Sequence, residues 1–388
     1  MKILFTWHAA VEPEYRKLFK EIVKKGYELT VICPKAWTEG GRLQRINDSD
    51  KAYSGRSKSN GYHLFTFPVV FRDKIKGFFY PHLHILYRLF HKFKPDIVHI
   101  FEEPYSLACL QMVGLTQIAS PLSKIIIQSF ENMTITQRLP FSLVERFVLS
   151  NANLLISIPR EGESVWRDKG YSGTVKQLPV GLDEAIFKKT EDSLPDYPFL
   201  NKRDKVRIGY VGRLTPEKGL SLLLEAASNL LKRTSDFELL IIGNGERKRF
   251  ESLATELGVR ERITFINAVP NYQLPIIYSK IDILVLPSIT TATWKEQFGR
   301  VLIEAMACGT AVVGSSSGEI PNIIGEAGLI FQEGNTSALL KILEELITNS
   351  NLRKNLEKMG RNRVLQNFTW SSVAKRLCNI YKDVRQNY

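Results

Sequence analysis

Residues 205–220 read KVRIGYVGRLTPEKGL, and this stretch decides the fold. A short β-branched and aromatic run ends at Gly212, a polar loop with two cations follows, and a helix begins near Pro216 or Glu217. Further strand-like runs come next, each before a helix-length segment: FELLIIG, RITFI, IDILVLP, TAVVG and AGLIF. Strands that alternate with helices of about 10–15 residues are typical of parallel βαβ units.

The same alternation of strands and helices fills the first half of the chain. Its strand-like runs are KILFTW, YELTVIC, HLFTFPVV, DIVHIF, KIIIQSF, LLISIP and VKQLPVG. The alternation of strands and helices is interrupted at 188–205, a polar and Pro-containing stretch that is typical of a linker. Because 388 residues are also about twice the usual length of one domain, we predict two α/β domains, at 1–190 and 205–370, each with its own sheet.

Charge and cysteine content narrow the class of protein. The formal net charge is +13, and residues 1–100 hold most of the excess, with 18 basic against 9 acidic residues. The four cysteines are far apart and form no CxxC pair, which argues against a structural zinc site and a disulfide framework. No apolar run approaches the roughly 18–20 residues that cross a bilayer, and the apolar N-terminal stretch is too short for a signal peptide. We therefore expect a cytoplasmic protein, either soluble or peripheral on a membrane surface.

The loop after the first strand of the second half carries Arg213 and Lys218. Two cations at the carboxyl end of a parallel strand, beside a helix N-terminus, suit a diphosphate, although solvated surface charge explains this segment equally well. Further on, Gly243–Asn244–Gly245 follows another strand, but Lys248 stands where G-x-G-x-x-G has its third glycine. We predict a tight strand-to-helix turn there, in which the backbone approaches a neighbour, rather than a nicotinamide site.

The most specific segment, residues 290–324, holds Glu296, a Phe298–Gly299 turn and Glu304. Glu304 lies among the apolar residues of RVLIEAMA, where a carboxylate without a partner would be costly. A pair of ribose hydroxyls is one suitable partner, and Glu296 would bind sugar hydroxyls in the same cleft. The backbone N–H groups after Phe298 would suit phosphate. The alternative is a first-turn helix charge for Glu296 and an internal ion pair for Glu304.

The chain resembles the retaining glycosyltransferases of family 4 in the order and spacing of these segments, across roughly 205–335. The matching pieces are GYVGRLTPEKGL, IIGNGE and EQFGRVLIEAMACGTAVVGSSSGEIPNIIGEAGLIF, and upstream LPVGLDEAIF is similar to the segment that closes the N-terminal domain of these enzymes. The resemblance implies a GT-B fold, with two Rossmann-like domains that face each other across a central cleft. We expect the C-terminal helix, at about 371–388, to pack back on the first domain.

The resemblance also implies roles for individual residues. Arg213 and Lys218 would hold the diphosphate of a nucleotide-sugar donor. Glu304 would bind the ribose, and Glu296 would contact the hydroxyls of the donor sugar. Transfer would retain the anomeric configuration without a metal or other cofactor, because the leaving phosphate accepts the proton of the acceptor and the site stabilises that phosphate. The implied donor-binding set is Gly212, Arg213, Lys218, Glu296, Phe298, Gly299 and Glu304, and the implied catalytic residues are Glu296, Arg213 and Lys218.

The first half departs from the family pattern after its first strand. Many members carry a Gly-Gly loop there, and this chain has TWHAAVEP. His8 in that loop could face the cleft on the acceptor side or serve a structural role, whereas His99, inside DIVHIF, is expected in the core. A smaller departure is Gln297, which stands where proline is frequent.

Carboxylates follow two other strands of the first half. Glu102 or Glu103, in FEEPYS, could line the acceptor side, although solvated loop carboxylates explain them as well. Glu131 or Asn132, in ENMT, follows KIIIQSF, where some family members place a histidine. Our acceptor-side candidates are therefore His8, Glu103 and Glu131.

Residues 72–94, RDKIKGFFYPHLHILYRLFHKFK, concentrate the basic excess, with six Lys or Arg, one Asp and six Phe or Tyr. One interpretation is a helix from Pro81 that lies on an anionic membrane, where each basic residue contributes about 1 kcal/mol. The other is a core helix with a solvated basic flank, with Phe78, Phe79 and Tyr80 packed inside. Nucleic-acid binding is not expected, because no matching motif is present.

The sequence thus predicts a transferase that moves a hexose-type sugar from a nucleoside-diphosphate sugar to an oligosaccharide or lipid-linked acceptor, in polysaccharide or glycolipid biosynthesis. Two alternatives stay open. One is a GT-B epimerase or phosphorylase, and the other is a non-catalytic module that binds sugar nucleotides or membranes.

Overall fold

The computed structural model describes residues 1–39, 42–46, 61–201 and 204–387. The chain divides into two compact units, which are Met1–Gly181 with Trp370–Tyr388, and Leu182–Thr369. The first unit ends ahead of the polar stretch 188–205, because the backbone N–H of Leu182 already donates to the carbonyl of Phe368 in the second unit, at 2.9 Å.

The first unit is built on a parallel sheet, and each strand predicted from the first half is present in it. Its strands are β1 (Lys2–Trp7), β2 (Glu28–Pro34), β3 (Ala36–Glu39), β4 (Arg42–Arg45), β5 (His63–Phe67), β6 (Ile97–Phe101), β7 (Lys124–Ser129), β8 (Leu154–Ser157) and β9 (Thr174–Gln177). The sheet order is β5-β2-β1-β6-β7-β8-β9. The sequence did not predict β3 and β4, which form a separate antiparallel hairpin.

Helices cover this sheet, so its central strands are buried on both faces. They are α1 (Lys17–Lys24), α2 (Leu83–Phe93), α3 (Leu107–Ala119), α4 (Phe141–Asn151) and α5 (Gly162–Asp168). Helix α3 packs between α2 and α4 and contacts both. The three therefore form one continuous layer.

The second unit repeats the architecture, and the strands predicted for it are present. Its strands are β10 (Val206–Val211), β11 (Phe237–Ile242), β12 (Ile263–Ile266), β13 (Ile283–Leu286), β14 (Ala311–Ser315) and β15 (Leu329–Phe331), in the order β12-β11-β10-β13-β14-β15. This parallel order is that of a Rossmann sheet, in which the order of strand addition reverses between β10 and β13. Ligands of such sheets bind outside the carboxyl ends of the strands at this switch point.

The helices of the second unit enclose its core and lead into the last helix of the chain. They are α6 (Leu220–Leu231), α7 (Arg247–Glu256), α8 (Leu274–Ser279), α9 (Arg300–Ala307), α10 (Ile320–Ile324), α11 (Thr336–Thr348) and α12 (Ser350–Asn367). Short 3-10 turns connect several of them. In the described part of the chain, no helix is both long and apolar enough to cross a membrane.

The last helix, α13 (Trp370–Asn387), packs against α1 of the first unit. Trp370 is fully buried against Gly181, where an added Cβ would lie 2.6 Å from the indole ring. The hydroxyl of Tyr381 lies 2.7 Å from Nδ1 of His99, which has no exposed surface. Burial lowers the pKa of His99 to about 3, so the prediction that this histidine belongs to the core is confirmed.

Residues 72–94 divide between core and surface. Leu86, Phe90, Phe78 and Tyr80 have no exposed surface, as the core-helix interpretation predicts. The Lys and Arg side chains of the stretch are all exposed. The buried face and the basic face are therefore both present, and the helix itself begins at Leu83 rather than at Pro81.

Candidate functional site

The Gly243–Asn244–Gly245 turn supports the loop that carries Arg213. A Cβ on Gly243 would lie 1.8 Å from the carbonyl oxygen of Gly212, and one on Gly245 would lie 2.5 Å from that of Leu214. Two hydrogen bonds, Leu214 N–H to Asn244 O and Glu246 N–H to Leu214 O, join the two segments at 2.9 and 2.7 Å. The predicted tight turn is confirmed, and the neighbour that its backbone approaches is the Arg213 loop.

Gly219 holds the same loop against the end of β13. Its φ is +69°, and a Cβ at this position would lie only 1.8 Å from the carbonyl oxygen of Pro287. A single 3-10 turn, Pro216–Lys218, precedes it, and α6 begins at Leu220. The close backbone contact brings the Lys218 side chain to the residues that follow β13.

Lys218 and Glu296 form an ion pair at this switch point. The Lys218 Nζ donates to Glu296 Oε2 at 2.7 Å, and the side chains are 15% and 8% exposed. Ser288 Oγ donates to the same carboxylate oxygen at 2.8 Å, and Lys218 Nζ lies 4.7 Å from the ring centre of Trp294. The structure thus brings together two predicted residues, and it adds Ser288 and Trp294, which the motifs did not single out.

Arg213 lies on the open side of the loop. Its side chain is 59% exposed and its guanidinium is 3.6 Å from Glu217 Oε1. Burial by itself raises the pKa of Glu217, but hydrogen bonds from Thr215 and its own backbone, with the charges of Arg213 and Lys218, lower the pKa below its ordinary value. The loop therefore keeps one exposed cation beside the Lys218–Glu296 pair.

Glu304 has two protein partners. Arg300 Nε donates to Oε1 at 2.7 Å, and the Tyr278 hydroxyl donates to Oε2 at 2.8 Å. The residue is 5% exposed, so the internal ion pair that the sequence left open is present. The spacing of four residues between Arg300 and Glu304 on one helix could have signalled this pair, whereas Tyr278 comes from another helix and no local pattern indicates it.

The turn before α9 has the predicted form. Gly299 has a φ of +80° and is the N-cap residue of α9, and Phe298 beside it is 4% exposed and packs on Phe368. Behind the turn, a Cβ on Gly318 would lie 2.0 Å from the carbonyl oxygen of Glu296. Since Gly318 follows β14, a second strand end fixes the backbone of Glu296.

In the first unit, His8 and Glu102 meet at the carboxyl ends of β1 and β6. Glu102 is 2% exposed; one carboxylate oxygen accepts the backbone N–H of His8, and the other lies 2.6 Å from His8 Nδ1. The rings of Trp37 and Phe78 flank the imidazole, with centroids 4.7 and 5.9 Å away. Glu102 is thus the partner of His8 rather than a solvated loop carboxylate, and the imidazole side chain is 18% exposed.

Glu103 and Glu131 lie in a buried cluster at the ends of β6 and β7. Glu103 accepts the hydroxyl of Ser129 and the backbone N–H of Phe130. Lys169 Nζ donates to Glu131 at 2.6 Å and to Glu145 at 2.7 Å, and Glu131 Oε2 has no hydrogen-bond partner among the described residues. Glu103, like Glu102, is therefore bound within the fold rather than a solvated loop carboxylate.

We expect Glu131 to make stability depend on pH. Burial and the Glu103 carboxylate raise the pKa of Glu131 from 4.5 to about 7, although Lys169 opposes them. The folded state therefore holds a proton that the unfolded state has released, and the free energy of unfolding should fall as the pH rises from about 4.5 to about 7. Glu131→Gln lacks this titration. In urea denaturation, the free energy of unfolding of this variant minus that of wild type should therefore increase as the pH rises from about 4.5 to about 7. If this difference stayed constant, the raised pKa of Glu131 would be wrong.

Comparison with known proteins identifies the second unit. Residues 197–363 match the family described as glycosyl transferases group 1. The D-inositol 3-phosphate glycosyltransferase of Corynebacterium jeikeium is 30% identical over 62% of this chain, and the chain spans 60% of that relative's length. A GDP-mannose-dependent phosphatidylinositol monomannoside mannosyltransferase of Mycolicibacterium smegmatis is 28% identical over 56% of this chain, which covers 58% of its length.

Solved structures agree on the fold. HepE of Anabaena, crystallised with UDP, superposes with a TM-score of 0.74 at 17% identity over 99% of this chain and 100% of its own. The fold class is therefore GT-B, as the sequence predicted. The resemblance read from the motifs at 205–335 is confirmed, and the second unit of this chain belongs to the glycosyl transferases group 1 family.

Proposed function

We propose that the chain is a retaining, metal-independent glycosyltransferase that moves a hexose-type sugar from a nucleoside-diphosphate sugar to an oligosaccharide or lipid-linked acceptor, in polysaccharide or glycolipid biosynthesis. One observation carries the proposal. A largely buried Lys218–Glu296 ion pair lies at the switch point of a Rossmann sheet, in a domain of the glycosyl transferases group 1 family.

The donor diphosphate is proposed to bind at the loop after β10. Lys218 supplies a cation already fixed by Glu296 and Trp294, and the exposed Arg213 supplies a second one. A charge that is held in place before the reaction stabilises the departing diphosphate without any rearrangement of the site. Such preorganised electrostatic stabilisation is usually the largest contribution to the rate enhancement. Glu296 then contacts the donor sugar through its carboxylate, beside the amides of Phe298 and Gly299.

The ribose is proposed to bind at Glu304. Arg300 and Tyr278 hold its carboxylate in one orientation, and its burial strengthens any hydrogen bond that it accepts from a hydroxyl. Together with the loop after β10, Glu304 would define the nucleotide end of the donor site.

The acceptor is proposed to bind to the first unit, at the carboxyl ends of β1, β6 and β7. His8, oriented by Glu102, presents an imidazole there, and Glu103 and Glu131 form the neighbouring buried cluster. A lipid-linked acceptor is supported by the basic stretch 72–94, whose exposed cations suit an anionic membrane. The protein would then work on the cytoplasmic face of that membrane.

A nucleoside diphosphate is expected to raise the melting temperature of the protein. A ligand that binds only the folded state stabilises it by about 2.7 kcal/mol at a hundred times its dissociation constant. A thermal-shift panel of UDP, GDP and ADP with their sugars would identify the base. Glu304→Gln should reduce the shift, because an amide accepts ribose hydroxyls more weakly than a carboxylate. No shift with any of the three would contradict the donor site.

Turnover separates the proposed transferase from the alternatives. Purified protein should transfer sugar with retained configuration, and a chelator should leave the rate unchanged. Hydrolysis or epimerisation of the donor with no transfer to any acceptor would favour an epimerase, and binding without turnover would favour a non-catalytic module. A bound pyridoxal chromophore would favour a phosphorylase.

A further inference from the structure

Several of the large apolar side chains that the first unit exposes lie on or beside one layer of helices, whereas Leu43, Phe71, Ile135 and Leu139 lie outside these helices. Leu122 is 92% exposed and Ile118 is 74% exposed, and they lie where α3 turns into β7. On either side of them, α2 exposes Leu83 and Tyr87 and α4 exposes Leu143 and Phe147, each by 39–57%. The described parts of α1, α5 and α13 expose no such side chain. We name these six residues the α2–α4 face.

These residues lie on neighbouring elements. Helix α3 contacts both α2 and α4, so the exposed side chains belong to one surface. At one end of this surface, α2 and α3 meet the starts of β6 and β7. A cavity of about 640 Å³ opens there between Tyr87, Ile118 and Leu122. Lys94 and Lys124 line the same cavity, together with Asp96, whose carboxylate accepts the backbone N–H of Lys2 at 2.6 Å. Apolar surface of this extent, bordered by charge, is typical of an interaction site.

The charge on these helices has one sign at the surface. Among the residues of α2, α3 and α4 the single carboxylate is Glu145, which is buried and bound to Lys169. The basic side chains of α2 and α4, including Arg88, Lys92 and Arg146, are exposed. The exposed charge of these helices therefore favours a ligand that is anionic as well as apolar.

We propose that the α2–α4 face docks on a bilayer of anionic phospholipid. Lipid phosphates would neutralise the cations, while the apolar side chains enter the layer beneath the headgroups, which requires no matching shape. The inference rests on the membrane association proposed above for 72–94, and it extends that association to α4 and to the α3–β7 connection, outside that stretch. Docking would thus involve three helices of the unit that is proposed to bind the acceptor.

Vesicle flotation of the full chain tests the inference. Wild type should float with vesicles of equal phosphatidylcholine and phosphatidylglycerol and remain at the bottom with phosphatidylcholine alone. The double variant Leu143→Asp and Phe147→Asp should bind these vesicles more weakly, with a partition coefficient about tenfold lower for each residue changed. Leu365→Asp is the matched control, because Leu365 is 42% exposed on α12 of the second unit. If the double variant melts early, the serine pair at the same positions replaces it.

The outcomes separate this inference from the proposals on which it rests. If wild type and the double variant float equally well, the inference is wrong, although the membrane association of 72–94 stands. If wild type floats with neither vesicle, both are wrong. Self-association of wild type that the double variant abolishes, without flotation, would make the face a contact between copies and would also overturn the inference. The donor site is unaffected in every case, and the thermal shift with nucleoside diphosphates should be the same in all variants.

Discussion

Lys218→Ala should lower the turnover number by about 10²–10³-fold, the cost of removing one preorganised charge from a developing anion. The loss of stability should be much smaller, about 1–3 kcal/mol, since Glu296 loses its cation but keeps the hydrogen bond from Ser288. Turnover and folding should therefore separate clearly in this variant.

The measurement is initial-rate kinetics with saturating donor, together with urea denaturation of the same preparation. Lys232→Ala is a suitable control, because Lys232 is exposed and hydrogen-bonds only to Asn229 among the contacts described. Arg213→Ala should cost less than Lys218→Ala, since Arg213 is 59% exposed and its charge is screened by solvent. If Lys218→Ala kept full transfer activity, the assignment of the donor site would be wrong.

Gly219→Ala should damage both stability and donor binding. The added methyl group would lie 1.8 Å from the carbonyl oxygen of Pro287, a backbone atom that cannot rotate away, and φ is +69°. We expect a loss of about 2–5 kcal/mol from overpacking and left-handed strain together. The loop would also move away from β13, which would separate Lys218 from Glu296.

Gly258 provides a matched comparison for this prediction. Its φ is also +69°, but an added Cβ would meet nothing within 4 Å. Gly258→Ala should therefore cost only the left-handed strain, about 1–2 kcal/mol, and should leave the nucleotide-induced thermal shift unchanged. If the two variants lost equal stability and both kept the shift, the close packing of the loop on β13 would not matter for the site.

The fold was predictable because its signal is local. The central strands of the two sheets are short apolar runs buried on both faces, and turns and helices of ordinary length separate the runs. The β3–β4 hairpin was missed because AWTE and RLQR alternate too weakly to stand out as strands. The first unit also ends at Gly181, because Leu182 bonds to Phe368, a contact between residues far apart in the chain.

The candidate site was predictable only as a set of residue types at strand ends. The motifs named Lys218, Glu296 and Glu304, and they could not name the atoms that each one touches. Ser288 reaches Glu296 from the end of β13, and Tyr278 reaches Glu304 from α8. These partners are separated in sequence and meet only after the sheet has formed.

Sequence order determined the two Rossmann-like units, the family of the second one and the residues at its strand ends, since hydrophobic periodicity and motif spacing are properties of neighbouring residues. Tertiary structure decided the rest. It paired His8 with Glu102, buried Glu131 beside Lys169, and gathered the exposed apolar residues of α2 and α4 on one surface. These contacts join segments that are distant in the chain and form only when the segments pack together, so no local pattern encodes them.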